Sequence, residues 1–164
     1  MDNGRVLFAS HDGIHVLRLV GDIRYTLSPS FDRFLQGLLA GPTPAGFVID
    51  LTETHIIDST NLGLLARIAK HMRGHGGRRV TIVSDREDIN ELLRNLGFDE
   101  IFDLVERSEM ESEPGDTLRM ETAQRDDLYQ TVLNAHRTLM ALNARNEELF
   151  RDVVTALEKQ VGGD

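Results

Sequence analysis

Apolar residues recur at two different periods along this chain, and the change of period marks its elements. "RVLFAS" and "IHVLRLV" flank His11-Asp12-Gly13. Asp-Gly between two apolar runs is a strong hairpin signal, so the pair predicts two antiparallel strands. In "SPSFDRFLQGLLA" the apolar positions Phe31, Phe34, Leu35 and Leu38 are spaced for one helix face. Ser28 is placed to cap that helix and Pro29 to open it. "GFVIDL" is apolar without alternation, which predicts a central strand buried on both faces.

A second helix is predicted over about 60–73 from Leu62, Leu65, Ala69 and Met72, stopping at Gly74, Gly76 and Gly77. "RRVTIVS" follows as a strand. A third helix over about 86–95 carries Ile89, Leu92, Leu93 and Leu96 ahead of Gly97, and "EIFDLVE" closes the unit as a short or edge strand. The order predicts an α/β fold, a mixed four- to five-stranded sheet with crossover helices mainly on one face.

From Thr117 to Gln160 the chain has neither Pro nor Gly. Leu128, Val132, Ala135, Leu139, Leu142, Asn146, Leu149, Val153 and Ala156 follow a 4,3 spacing, the a/d seam of a heptad pattern, with Asn146 at an a position that can fix register. This predicts one long helix over about 124–159. Leu133, Met140, Val154 and Leu157 widen the stripe, and a wide stripe packs more often on its own domain than on a single partner helix. Packing on the domain, a homodimeric coiled coil and a helix kept for another protein all remain open. The organisation is then a domain over 1–105, a linker over 106–116 and a helical extension over 117–164.

Charge supports that division. The 164 residues carry a net charge of -9, and the segment "ERSEMESEPGD" holds five acids against one base. An acidic chain argues against nucleic acid, whose phosphates need a basic face. There is no cysteine, hence no disulfide framework or thiolate metal site. No signal peptide and no membrane-length apolar run is present, so the expectation is a cytoplasmic protein without direct membrane insertion.

The six histidines, His11, His15, His55, His71, His75 and His136, show no ligand spacing beyond His71 and His75, which sit among Arg67, Lys70, Arg73, Arg78 and Arg79 and read as a solvated basic helix face. No phosphate-binding glycine loop or nucleophile elbow occurs. Ser59, at the start of the second helix, has Asp58 beside it and His55 four residues back, but neither is placed on its hydroxyl by sequence. Asp58 or Ser59 can cap that helix, and Ser59 is better suited to accept a phosphate than to act as a nucleophile. The expectation is a protein that is not an enzyme and needs no cofactor or metal.

"DLTETHIIDSTNLG", Asp50 to Gly63, resembles the signature of STAS domains in bacterial anti-sigma factor antagonists, as do "GDI" at Gly21 to Ile23 and "LLRNLGFDEIFDLV". The resemblance implies the STAS fold and a role in partner switching. It implies that Ser59, with Thr60 as a minor candidate, is phosphorylated by an anti-sigma factor that is also a serine kinase of the histidine-kinase-like ATPase fold. A PP2C-type phosphatase would remove the phosphate. The unmodified form would sequester the anti-sigma factor, and Asp22, Asp58, Thr60, Asn61 and Leu62 would lie on the partner surface. Asn61 departs from the family's usual glycine, and Arg24 from a usual acid. The alternative within the family is a non-phosphorylated STAS subunit of a membrane-lipid or anion transporter complex. The C-terminal helix lies outside the usual domain and is expected to serve self-association or a second protein partner, apart from the switch itself.

Overall fold

A computed structural model describes residues 3–106, 116–117 and 125–162. Its strands are β1 (Arg5–His11), β2 (Ile14–Ile23), β3 (Gly46–Asp50), β4 (Thr54–Ile57), β5 (Thr81–Val83), β6 (Asp103–Val105) and β7 (Asp116–Thr117). Its helices are α1 (Ser28–Leu39), α2 (Ser59–Gly74), α3 (Glu87–Asn95), α4 (Arg125–Met140) and α5 (Ala144–Val161). Of the predicted linker, only Glu106 and Asp116 fall within the described residues.

The β1–β2 hairpin turns at Asp12 and Gly13, whose φ values of 51° and 80° both lie in the left-handed region. A two-residue turn of this hand matches the twist of the strands, and Gly and Asp are the residues that reach it most cheaply. The sheet order is β6-β5-β3-β2-β1-β7, with β4 on the far end of β2. β1 pairs antiparallel with β2 and β7, while β2–β3, β2–β4, β3–β5 and β5–β6 are parallel. The expected mixed sheet is therefore present, lengthened by β4 and by the two-residue β7.

Burial alternates along the central strands. Leu17, Leu19, Ile23, Phe47 and Ile49 are buried under the helices, while Arg18, Val20, Asp22, Val48 and Asp50 on the opposite face are only partly covered. β3 is central, as its apolar run predicts, but it is not buried on both faces. Arg18 lies across that second face, 3.6 Å from Asp50 and 2.6 Å from Glu53.

Ser28 does not cap α1. A single 3-10 turn, Tyr25–Leu27, runs directly into the helix, so Leu27 takes the cap position and the Ser28 hydroxyl donates back to the Tyr25 carbonyl at 2.6 Å. Pro29 stands in the first turn as expected.

The single long C-terminal helix is instead a hairpin of two. Asn143 is extended, with φ -165° and ψ 165°, and its side-chain oxygen accepts from the Asn146 N–H at 2.8 Å. Asn is among the strongest N-caps, so it starts a new helix where neither Gly nor Pro marks a stop. The fold-back splits the heptad stripe: Ala135, Leu139 and Asn146 are buried, whereas Leu149 and Val153 are exposed at 59% and 43%. The buried face of α5 is Asn146, Phe150 and Val154, a spacing of four. Asn146 is no coiled-coil register residue here. Its side-chain amide donates to the Leu96 carbonyl at 2.9 Å and to the Leu139 carbonyl at 3.0 Å, tying both helices of the hairpin to the end of α3.

α4 lies on α2. Thr60 through Ala66, Ile68, Ala69 and Met72 of α2 are all buried, far more than one amphipathic stripe, because the sheet covers one side and α4 the other. A Cβ built on Gly63 would fall inside contact distance of the Ala135 backbone, so the two helices meet main chain to main chain. Ala135, Leu139 and Phe150 join the strands' residues in one continuous apolar core. Each large apolar side chain buried there contributes about 1.5–3 kcal/mol.

Replacing Asn146 by alanine is expected to lower stability by about 1–3 kcal/mol, the cost of stranding buried carbonyls, with oligomeric state unchanged. Urea unfolding with sedimentation checks this; a changed oligomer at unchanged stability would restore the seam role.

Candidate functional site

The start of α2 is fixed to the end of β2. The Asp58 N–H donates to the Ile23 carbonyl at 3.1 Å, and the Asp58 carbonyl accepts from the Leu62 N–H at 3.1 Å. Asp58 is the N-cap: its Oδ1 accepts from the Asn61 backbone N–H at 3.0 Å and from the Asn61 side-chain amide at 2.9 Å. A carboxylate at this position also complements the helix dipole. Asn61, bulkier than the glycine it replaces, turns inward and reinforces the cap.

With the cap supplied by Asp58, the Ser59 hydroxyl is released for another partner. Its Oγ lies 2.8 Å from Nε2 of His136, on α4. The Nδ1 of His136 lies 2.7 Å from the Val132 carbonyl. A carbonyl only accepts, so the Nδ1 carries the proton, and in the neutral ring Nε2 accepts from the Ser59 hydroxyl. His136 is 5% exposed and its ring packs edge-on against Phe150, with centroids 5.3 Å apart.

Two expectations are corrected by this contact. A base does face the Ser59 hydroxyl, and it is not His55 but a residue 77 positions away; and the C-terminal segment reaches Ser59 instead of standing apart from it. Nothing in the local sequence around either residue signals the pairing.

A serine beside an imidazole is not by itself a catalytic centre. The group that orients His136 is a backbone carbonyl, and of the first N–H groups of α2 that of Asn61 is taken by the Asp58 carboxylate. Acyl transfer needs a base oriented by a third group and donors aimed at the developing oxyanion.

The remaining site residues divide into two groups. Asp22, its side chain 18% exposed, lies at the end of β2 in register with Ile56, and Arg24 approaches it at 3.4 Å. Asp22, Asp58 and Ser59 thus share one end of the sheet. Thr60, Asn61 and Leu62 are buried, at 3%, 0% and 0% exposure, so in this conformation their side chains form no part of the outer surface. Two exposed apolar residues that sequence reasoning passed over, Tyr25 and Ile56, stand at the same end. Ser59 is half-buried and opens on a cleft of about 420 Å³ walled by Tyr25, Leu128, Tyr129, Val132 and Leu157.

The other end of α2 has a different character. A cavity of about 580 Å³ there is lined by Lys70, Arg73, Arg78 and Arg79 over an alanine floor. His71 and His75 stack at 3.9 Å, and burial, then the charges of His75 and Arg67, hold the His71 imidazole below its usual pKa. Among the described residues no cluster of three metal-ligating side chains occurs, and no helix is long and apolar enough to cross a membrane.

Asp58→Ala is expected to cost about 0.5–2 kcal/mol and Asp58→Asn only a few tenths, since asparagine caps as well as aspartate. Chemical denaturation of the two variants separates capping from charge: equal losses would assign the role to charge.

A STAS domain model matches residues 6–112 of the chain. An anti-sigma factor antagonist from Mycobacterium paratuberculosis superposes with a TM-score of 0.56 at 23% identity, over 64% of this chain and 87% of that one. A candidate anti-sigma factor antagonist from Thermotoga maritima superposes with a TM-score of 0.55 at 20% identity, over 62% and 86%. No curated protein matches the chain.

Proposed function

Because this chain belongs to the STAS domain family, we propose that it is an anti-sigma factor antagonist of a partner-switching pathway, with Ser59 as the phosphorylated residue. The observation that carries the reading is the division of labour at the start of α2: Asp58 caps the helix, and the neighbouring hydroxyl is not needed for the cap and points to His136. The description of the two similar structures as anti-sigma factor antagonists supports the same role.

In this reading the partner is an anti-sigma factor that is also a serine kinase of the histidine-kinase-like ATPase fold, acting in the cytoplasm. It docks on the end of the sheet where Asp22, Asp58 and Ser59 meet the exposed Tyr25 and Ile56. Phosphate adds about -1.5 to -2 charges beside the Asp58 carboxylate, which repels a surface shaped for a hydroxyl. The domain itself stays folded, because the cap does not depend on Ser59. A PP2C-type phosphatase resets the site. Thr60, almost fully buried, is the poorer acceptor. The protein performs no chemistry of its own; its output is the free or bound state of the anti-sigma factor.

Ser59→Ala is expected to hold the anti-sigma partner permanently and Ser59→Asp to release it at least in part, one carboxylate being weaker than a phosphate. Pull-downs with both variants, beside mass spectrometry of the protein from its own cells, test this. Equal capture by the two variants, with no phosphate on Ser59 under any growth condition, would sink the reading.

A further inference from the structure

We infer that the α4–α5 hairpin is an intramolecular cap over the switch residue, latched by His136, which a kinase or anti-sigma partner must displace to reach Ser59. The inference rests on the reading of Ser59 as the switch. It concerns how that switch is regulated.

The first support is occupancy. The Ser59 hydroxyl is engaged by His136 Nε2 at 2.8 Å, and Ser59 is half-buried. Thr60 is buried, and Leu128, Tyr129 and Val132 of α4 with Leu157 of α5 wall the cleft beside the two hydroxyls. A partner approaching the start of α2 therefore meets the hairpin first.

The second support is that phosphate and the closed hairpin exclude each other. A phosphoryl group on Oγ has no room along the line to His136, whose Nε2 lies 2.8 Å from that oxygen. Separation of the helices is not a small adjustment, because α2 and α4 already touch main chain to main chain at Gly63 and Ala135. Rotating the group into the cleft is no remedy. Among the described residues the cleft is walled by Tyr25, Thr60, Leu128, Tyr129, Val132 and Leu157 beside Asp58, so a dianion rotated into it lies against apolar side chains and a carboxylate. By linkage, whatever holds the hairpin shut disfavours phosphate on Ser59 at equilibrium, and phosphate on Ser59 opens the hairpin by the same factor.

The third support is that the hairpin docks along one continuous seam, so that its contacts can yield together. Asn146 and Asn143 reach the Leu96 carbonyl at 2.9 and 3.3 Å, and Ala135, Leu139 and Phe150 supply its share of the core. The exposed Arg137–Glu158 pair, at 3.6 Å, lies within the hairpin and adds nothing to its docking.

The chain has no cysteine, so Ser59→Cys places a single thiol at the switch. Its labelling by a maleimide carried on a polyethylene glycol chain is compared, in the full-length protein, with that of Thr155→Cys, an exposed position on α5. The cap predicts labelling at position 59 slower by about tenfold or more, a closure free energy of about 1.4 kcal/mol or more. Adding Ala135→Trp, which overpacks the contact with Gly63, should bring the two rates within about threefold. Leu139→Glu, an unpaired charge in the seam, should do the same. Equal rates at positions 59 and 155 without a wedge overturn the cap. So does labelling at 59 that exceeds the reference and falls with His136→Ala, which would make the imidazole an activating base. If both wedge variants lose their cooperative melt, the hairpin is inseparable from the core and the cap is likewise overturned. No kinase enters this test: a slowly labelled Ser59→Cys in a protein never phosphorylated in its cells keeps the cap and removes the switch, and the reverse pattern keeps the switch alone.

Discussion

The backbone contact between α2 and α4, possible only because residue 63 has no side chain, governs the geometry of this molecule. Any Cβ at Gly63 would meet the Ala135 main chain. With the helices at that separation, the residue after Ala135 is carried to the N-terminal turn of α2, and His136 meets Ser59. Both the burial of α2 on two sides and the environment of the Ser59 hydroxyl follow from one missing methyl group.

At the start of α2 two adjacent polar residues perform separate tasks. A helix leaves its first N–H groups unsatisfied, and a carboxylate meets that need better than a hydroxyl because it also carries charge. Asp58 does so with one oxygen, which accepts from both the backbone and the side chain of Asn61. Had Ser59 been the cap, modifying it would have loosened the helix. With the acid as cap, the hydroxyl can change its partner while α2 keeps its first turn.

The hairpin is continuous with the domain energetically as well as spatially. Leu133, Leu139, Phe150 and Val154 are buried, and the first turn of α5 is held by the Asn143 cap and by Asn146. Leu149 and Val153, which the heptad pattern assigns to a seam, face outward. The 4,3 spacing crosses Asn143 without interruption, so a periodic pattern extends through a point where the helix itself does not. Periodicity reports which positions are apolar; it carries no record of the direction in which the chain turns.

The α/β order, the hairpin at Asp12-Gly13, the parallel core of the sheet and the start of α2 at Asp58-Ser59 are all legible in the sequence. Each depends on interactions within a few residues: turn chemistry, strand and helix periodicity, and capping. The resemblance of "DLTETHIIDSTNLG" to the STAS signature likewise lies in contiguous residues. The 3-10 turn that displaces Ser28 from its cap, the break at Asn143 and the one-sided cover of β3 depend on what packs beside them, and the local pattern does not distinguish the alternatives. The Ser59–His136 bond lies furthest from view, since its partners are 77 residues apart and neither has a spacing that points to the other. The sequence by itself determined the fold class and the helix start at which Ser59 stands; only the tertiary structure decided what covers that residue, because close packing of two helices is a property of both surfaces at once.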